Sequence, residues 1–307
     1  MTRQVTLIGA PTDIGAGTRG ASMGPEALRV AQIGPTLQSQ GVEVEDRGNL
    51  AGPPNPWLPA VGGYRHLAEV VAWSRAVHDA VHGELARTRL PIVLGGDHSL
   101  AMGSVSAVAR HCREVGKKFR LLWFDAHADY NTADSTPSGN LHGMPVAVLA
   151  GYGPKPLVEL AGTVPAVNRR DIRQIGLRSV DIDEKSLIAE HRIEVFDMRY
   201  LDEVGMRKAM KQALEGVDAD THVHTSLDLD FLDDTIAPGV GTPVRGGPTY
   251  REAQLCMEMI HDSGAFGSLD IVELNPALDI RSETAKLAVD LVESLFGKST
   301  LLPSHRR

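Results

Sequence analysis

The segment Phe124-Asp125-Ala126-His127-Ala128-Asp129 follows the apolar run Leu121-Leu122-Trp123, so three potential metal ligands at alternate positions leave the end of a buried strand. Strand side chains alternate faces, which places residues i, i+2 and i+4 on one side. An ideal strand would hold Asp125 and Asp129 roughly 13 Å apart, so both reach one ion only if the chain curls there. A second set of the same kind stands at Ser226-Leu227-Asp228-Leu229-Asp230, and His98 lies in Gly95-Gly96-Asp97-His98-Ser99. Four carboxylates and two imidazoles suffice for two divalent ions. Oxygen donors with a little imidazole suit Mn²⁺, and also Mg²⁺ or Fe²⁺, better than Zn²⁺ or Cu²⁺. Clustered carboxylates repel one another, and a cation is the natural way to neutralise them. Bridging carboxylates hold a metal pair about 3.5–4 Å apart, which generates a hydroxide nucleophile at neutral pH. His222 and His224 share the strand parity of Asp228 but lie about 13–20 Å upstream along a strand, so they are read as structural.

These ligands need strand ends to carry them, and the hydrophobic pattern supplies them. Short apolar runs predict strands at 4–10, 42–45, 90–94, 120–124, 171–177, 193–195, 222–227 and 268–274. Longer amphipathic runs predict helices at about 25–33, 66–88, 99–115, 143–149, 184–191, 203–214, 250–262 and 283–296. Strand–helix alternation of this kind calls for a parallel sheet with helices on both faces. Three Gly/Pro-rich loops, at 51–63, 128–142 and 233–248, exceed the usual connection length and mark functional loops. The last two begin just after ligand candidates, beyond strand ends where sites form in open α/β sheets. No shift in composition marks a linker, so residues 1–307 are expected to form one domain.

The bulk properties narrow the chemistry. The 307 residues are 42% hydrophobic and carry a net charge of −8, with no basic stretch longer than His305-Arg306-Arg307. Nucleic acid is therefore not expected as a partner, because phosphate binding needs a clustered positive face. Cys112 and Cys256 make no disulfide framework and lie away from the Asp/His segments. Pro11 and Asp13 break the first apolar run, and no stretch approaches a membrane span. A cytoplasmic protein without membrane contact is expected.

The Gly-Gly-Asp-His-Ser segment with His98, the Asp125–Asp129 segment and the Asp228–Asp230 segment together resemble the three signatures of the ureohydrolases, the arginase/agmatinase superfamily. The likeness runs from Gly9-Ala10-Pro11 to Glu273 and is greatest to bacterial-type arginases. It implies a three-layer α/β/α fold with a mostly parallel sheet of about eight strands. It also implies two Mn²⁺ per chain and hydrolysis of L-arginine to L-ornithine and urea by a metal-bridging hydroxide. Agmatine and guanidinobutyrate are the alternative substrates within that superfamily. By the same resemblance, His98, Asp125, Asp129 and Asp228 hold one ion; His127, Asp125, Asp228 and Asp230 hold the other. Asp125 and Asp228 would bridge. The stretch Asn131 to His142 resembles the loop that reads an α-carboxylate, with Asn131, Ser138 and Asn140 as neutral donors. Asp181, and less directly Glu184, would meet the α-amino group, and Thr242 would lie near the substrate. Glu273 would accept the guanidinium fork, His142 would shuttle a proton to the leaving amine, and Asp230 would orient the nucleophile. A homo-oligomer, trimer or hexamer, is implied as well. Two positions depart from the family pattern: Asp233 stands where proline is usual, and Ala133-Asp134 replaces a Pro-containing pair.

Two rival motifs are present. Gly15-Ala16-Gly17-Thr18-Arg19-Gly20 matches a dinucleotide fingerprint, but helix onset at Pro25 comes several residues late. Gly20-Ala21-Ser22-Met23-Gly24 matches a nucleophile elbow, yet glycine-rich chain rather than a strand precedes the serine.

Overall fold

A computed structural model describes residues 3–300; the basic terminus at 305–307 lies outside them. Eight strands form one sheet: β1 (Gln4–Gly9), β2 (Glu43–Asn49), β3 (Leu90–Leu94), β4 (Lys118–Phe124), β5 (Ile172–Ile175), β6 (Glu194–Phe196), β7 (Thr221–Asp228) and β8 (Phe266–Val272). The order is β2-β1-β3-β8-β7-β4-β5-β6. Every pair is parallel, so the sheet is wholly rather than mostly parallel. The central strands are buried along their length, as a sheet covered on both faces requires.

Alternation along each strand splits the core into layers. Ile92, Leu94, Leu122 and Phe124 pack into one face of the sheet. Val93 packs into a cluster on the other, with Leu121 and Trp123 in a third cluster. The first layer is closed by helices Gly24–Val30, Tyr250–Asp262 and Glu283–Leu295. On the opposite side lie Leu67–Ala86 and Ala101–Val115. The α/β/α layering read from sequence is therefore the observed fold.

Local differences have local causes. The expected helix at 203–214 is two helices, Met198–Val204 and Met206–Ala213, because Gly205 between them adopts φ 81°. Ile33–Ser39 is a further helix not foreseen from the sequence; Pro35 sits in its first turn, where its missing N–H costs nothing. A short helix at Lys155–Val158 was also not foreseen. His222 and His224 bond to Ser268, and His224 also to Asp270, within the sheet. The two rival glycine motifs are otherwise engaged. The Gly15 and Gly20 amides donate to Asp97 and Asp13, anions that would repel a pyrophosphate, and Ser22 Oγ donates to Asp13.

Helices 67–86 and 101–115 approach through Gly103, where an added Cβ would lie 2.2 Å from the Ser74 carbonyl oxygen. Gly103→Ala must therefore push the helices apart, at a cost of about 1–3 kcal/mol. The expected readout is a lower urea midpoint at unchanged m-value; an unaltered midpoint would show that this contact does not constrain the layer.

Candidate metal centre

Strand order brings the sequence candidates together. The four adjacent strands β3-β8-β7-β4 end in the segments bearing His98, Glu273, Asp228 and Asp125, in that order. Register holds the ends level: Phe124 pairs with Leu227, Asp228 with Val272, and Leu94 with Ile271.

The curl that the Asp125–Asp129 segment needs is present, because Asp129 adopts φ 50°. The Asp129 carbonyl accepts the Val146 N–H at 3.0 Å, tying the curl to the next helix. As a result the Nδ1 of His98 lies 3.0 Å from Asp125 Oδ2, 3.2 Å from Asp129 Oδ2 and 3.1 Å from Asp228 Oδ2. His127 Nδ1 lies 3.0 Å from Asp230 Oδ2 and 3.5 Å from Asp125 Oδ1. Two groups able to hold a metal result: His98–Asp125–Asp228 and Asp125–His127–Asp230. They share Asp125. Asp228 stands in the first group alone, with its other oxygen accepting the Asp230 N–H at 2.8 Å.

The donor set fits a cation. His98 Nε2 is 2.9 Å from Ser226 Oγ. Assigning the ring proton to that side leaves the Nδ1 lone pair facing three carboxylates. His98 Nδ1 and Asp129 Oδ2 are buried and have no hydrogen-bond partner of proper geometry. One proton could not serve three carboxylates; a cation between them serves all.

Protonation follows the crowding of charge. Burial, then repulsion from Asp125, pushes Asp129 up to about 7 in the metal-free protein. Burial and repulsion from Asp230 and Asp125 hold Asp228 well above the usual carboxylate range. Burial opposes charge on His127, but Asp230 and Asp125 outweigh it and push the ring up to about 12.

Thirteen of the fourteen sequence-predicted site residues line one cavity of about 150 Å³; the exception, Asp125, is wholly buried behind it. Glu273 adopts φ 61°, and its Oε1 accepts both the His98 N–H and His142 Nδ1, each at 2.9 Å. Thr242 Oγ1 donates to Asp230 Oδ2 at 3.1 Å. Asn131 Nδ2 donates to Asp181 Oδ2 at 3.0 Å, which engages one of its two N–H groups on the neighbouring loop. Glu184 accepts the Asp181 and Tyr130 N–H groups, both at 2.9 Å, and so braces the loops rather than presenting a free carboxylate. Ser138 and Asn140 lie at the rim, joined by Asn140 N–H donating to Ser138 Oγ at 3.1 Å.

Sequence reasoning missed several contributors. Thr136 and Ser179 line the cavity. Trp123 donates its indole N–H to Asp125 Oδ2 at 3.0 Å and stacks on His98 with ring centroids 4.0 Å apart. Trp123 and Ser226 occur inside the motifs already noted, at positions abreast in the β4–β7 pairing. That pairing is the signal that would have found them, and it is absent from one sequence.

Parallel strands that end together in carboxylates and imidazoles define a hydrolase-type candidate metal centre on an α/β/α sheet. The Arginase family model matches residues 3–297, and the chain belongs to that family. It is 42% identical to the arginase of Bacillus subtilis (strain 168) over 302 residues, covering 98% of this chain and 100% of that one. It is 45% identical to the arginase of Agrobacterium fabrum over 296 residues, covering 95% and 90%. The native arginase structure from Bacillus caldovelox superposes with a TM-score of 0.92 at 39% identity, covering 98% and 100%.

A carboxylate whose folded pKa is raised is neutral below that value, and its ionisation above costs folded-state stability, since the unfolded group ionises near pH 3.9. The metal-free protein should therefore lose stability as pH rises from about 4 through 7, and a bound cation should reverse the loss. Mn²⁺ is expected to raise the melting temperature more at pH 8 than at pH 6. Equal increments would mean that the ion displaces no protons from the cluster.

Proposed function

We propose that this protein is a Mn²⁺-dependent arginase that hydrolyses L-arginine to L-ornithine and urea. One observation carries the reading: an imidazole nitrogen lies within 3.0–3.2 Å of three carboxylate oxygens beside a cavity of about 150 Å³. The full-length likeness to arginases supports the choice of reaction. The oxygen-rich donor set supports Mn²⁺ in two ions per chain, held by His98, Asp125, His127, Asp129, Asp228 and Asp230. Bound there, the ions would supply Lewis acidity and lower the pKa of water into the neutral range.

The chain's own residues do the rest. Glu273 is fixed through Oε1, which leaves Oε2 to receive the guanidinium and hold its carbon over the centre. Burial works against charge on His142, but Glu273 overcomes it and lifts the ring to about 9. His142 thus begins as the acid near neutral pH, with the nitrogen not bonded to Glu273 available to protonate the leaving amine. Asp181 gives an anionic partner to the α-amino group, and Asn131 orients it. Ser138 and Asn140 offer neutral donors to the α-carboxylate at the cavity rim. Asp230, bonded by Thr242, orients the nucleophile.

Among the described residues no helix is long and apolar enough to cross a membrane, which accords with a cytoplasmic enzyme. We assign one ureohydrolase domain and a trimeric or hexameric assembly, the latter to be read by light scattering.

Urea release by Mn²⁺-loaded protein from arginine, agmatine and guanidinobutyrate tests the substrate; faster turnover of agmatine would refute the assignment. Asp129→Asn should lose metal and most activity. His142→Asn should keep metal content while kcat falls by about 10²–10⁴. Unchanged kinetics in that variant would remove the proton-transfer role.

A further inference from the structure

Arg178 follows β5 and has every guanidinium donor turned onto main-chain oxygens. Nη2 donates to the carbonyls of Asp230 at 2.7 Å, Val244 at 2.8 Å and Leu232 at 3.0 Å. Nη1 donates to Phe231 O at 3.0 Å and Gly176 O at 3.2 Å. Nε is 3.2 Å from both Val244 O and Arg245 O. The Arg178 backbone N–H donates to Ala126 O at 2.9 Å, inside the first ligand segment. A single residue therefore joins the 125–129 turn, the 228–232 turn and the 242–248 loop.

The far loop is built to meet it. Asp233 Oδ2 accepts the N–H groups of Gly246 at 2.8 Å and Gly247 at 3.0 Å, and the Asp233 N–H donates to Pro248 O at 3.2 Å. Any Cβ at Gly247 would stand 2.6 Å from Arg178 Nη2, so glycine lets the guanidinium reach the carbonyls. Proline at position 233 could supply neither the carboxylate nor the N–H. Asp233 thus clasps the loop that Arg178 grips.

We propose that Arg178 is a positioning residue that sets Asp230, and through the 242–248 loop Thr242, against His127, with Asp233 holding that loop in place. The inference rests on reading Asp125, His127 and Asp230 as a metal site. A planar fork with five donors can span consecutive carbonyls; a lysine ammonium, a compact charge with three donors, cannot. The fixed cation also sits behind the acidic cluster. Burial disfavours its charge, and Asp230, Asp125, Asp233 and Asp228 offset part of that cost.

The test is Mn²⁺ titration calorimetry on chelator-stripped full-length protein, with His127→Asn as the reference for loss of the Asp230-side step. Arg178→Lys should weaken that step about 10–100-fold while the His98-side step stays within about threefold. At saturating Mn²⁺, kcat should fall with KM little changed. Asp233→Asn keeps side-chain shape but leaves one accepting oxygen for the donors of Gly246, Gly247 and Thr235 that two oxygens now serve. It should weaken the same step about 3–10-fold, and the double variant should lose less than the product of the two. Equal weakening of both steps would reduce Arg178 to a general structural role and overturn the proposal, as would wild-type binding in Arg178→Lys. If Arg178→Lys fails to fold, Asp233→Asn decides: no selective loss at the Asp230-side step overturns the proposal. Absence of Mn²⁺ binding by the wild type would remove the metal reading and this inference together. Intact wild-type binding with unselective variants would remove this inference alone.

Discussion

The organising constraint is the concentration of like charge. Asp125, Asp129, Asp228 and Asp230 are buried and held close, against their mutual repulsion, by folds of the chain that do little else. Much of the surrounding architecture answers that repulsion. Trp123, Thr242 and the Ala126 and Asp230 amides each give a hydrogen bond to one of the clustered carboxylates, and Ser226 accepts one from His98. A buried charge cluster is tolerable only when each oxygen has a partner or a counter-ion, which is why this donor set suits a cation.

The sheet converts sequence distance into proximity. His98 and Glu273 are 175 residues apart, yet the His98 amide bonds the Glu273 carboxylate because β3 and β8 are neighbours. Arg178 and Asp181 arrive after the adjoining β5, next to β4, and Asp181 meets Asn131 from the segment that follows β4. Loops from 128–142 and 233–248 then close the cavity walls.

Much of this was legible in the sequence, for a physical reason. Fully buried parallel strands tend to read as uninterrupted apolar runs, so Leu121–Phe124 announced itself and Asp125 had to lie at a strand end, whereas Thr221–Asp228 is just as buried but carries His222, His224, Thr225 and Ser226. Strand order was not legible from these runs, since it depends on contacts between distant segments. Residues that act through backbone oxygens escaped notice for a related reason. Arg178 is an ordinary arginine after a strand until its seven carbonyl contacts are seen. Glu184 was read as meeting the substrate less directly than Asp181; it lines the cavity, and its two oxygens accept the Tyr130 and Asp181 amides, a bracing role that the sequence did not show. Helix breaks such as Gly205 were missed because one glycine within an amphipathic run does not declare its φ.

Asp129 and Glu273 both occupy the left-handed backbone region, at φ 50° and 61°. A non-glycine residue there gives up roughly 1–2 kcal/mol, and glycine would recover much of it. Glycine at either position would therefore relax the backbone while removing a carboxylate that lines the cavity. The same region holds Gln32, Trp57, His66, Thr88, Arg192, Arg281 and Ser282, so the cost is spread over the fold, but only at Asp129 and Glu273 does it fall on the cavity lining.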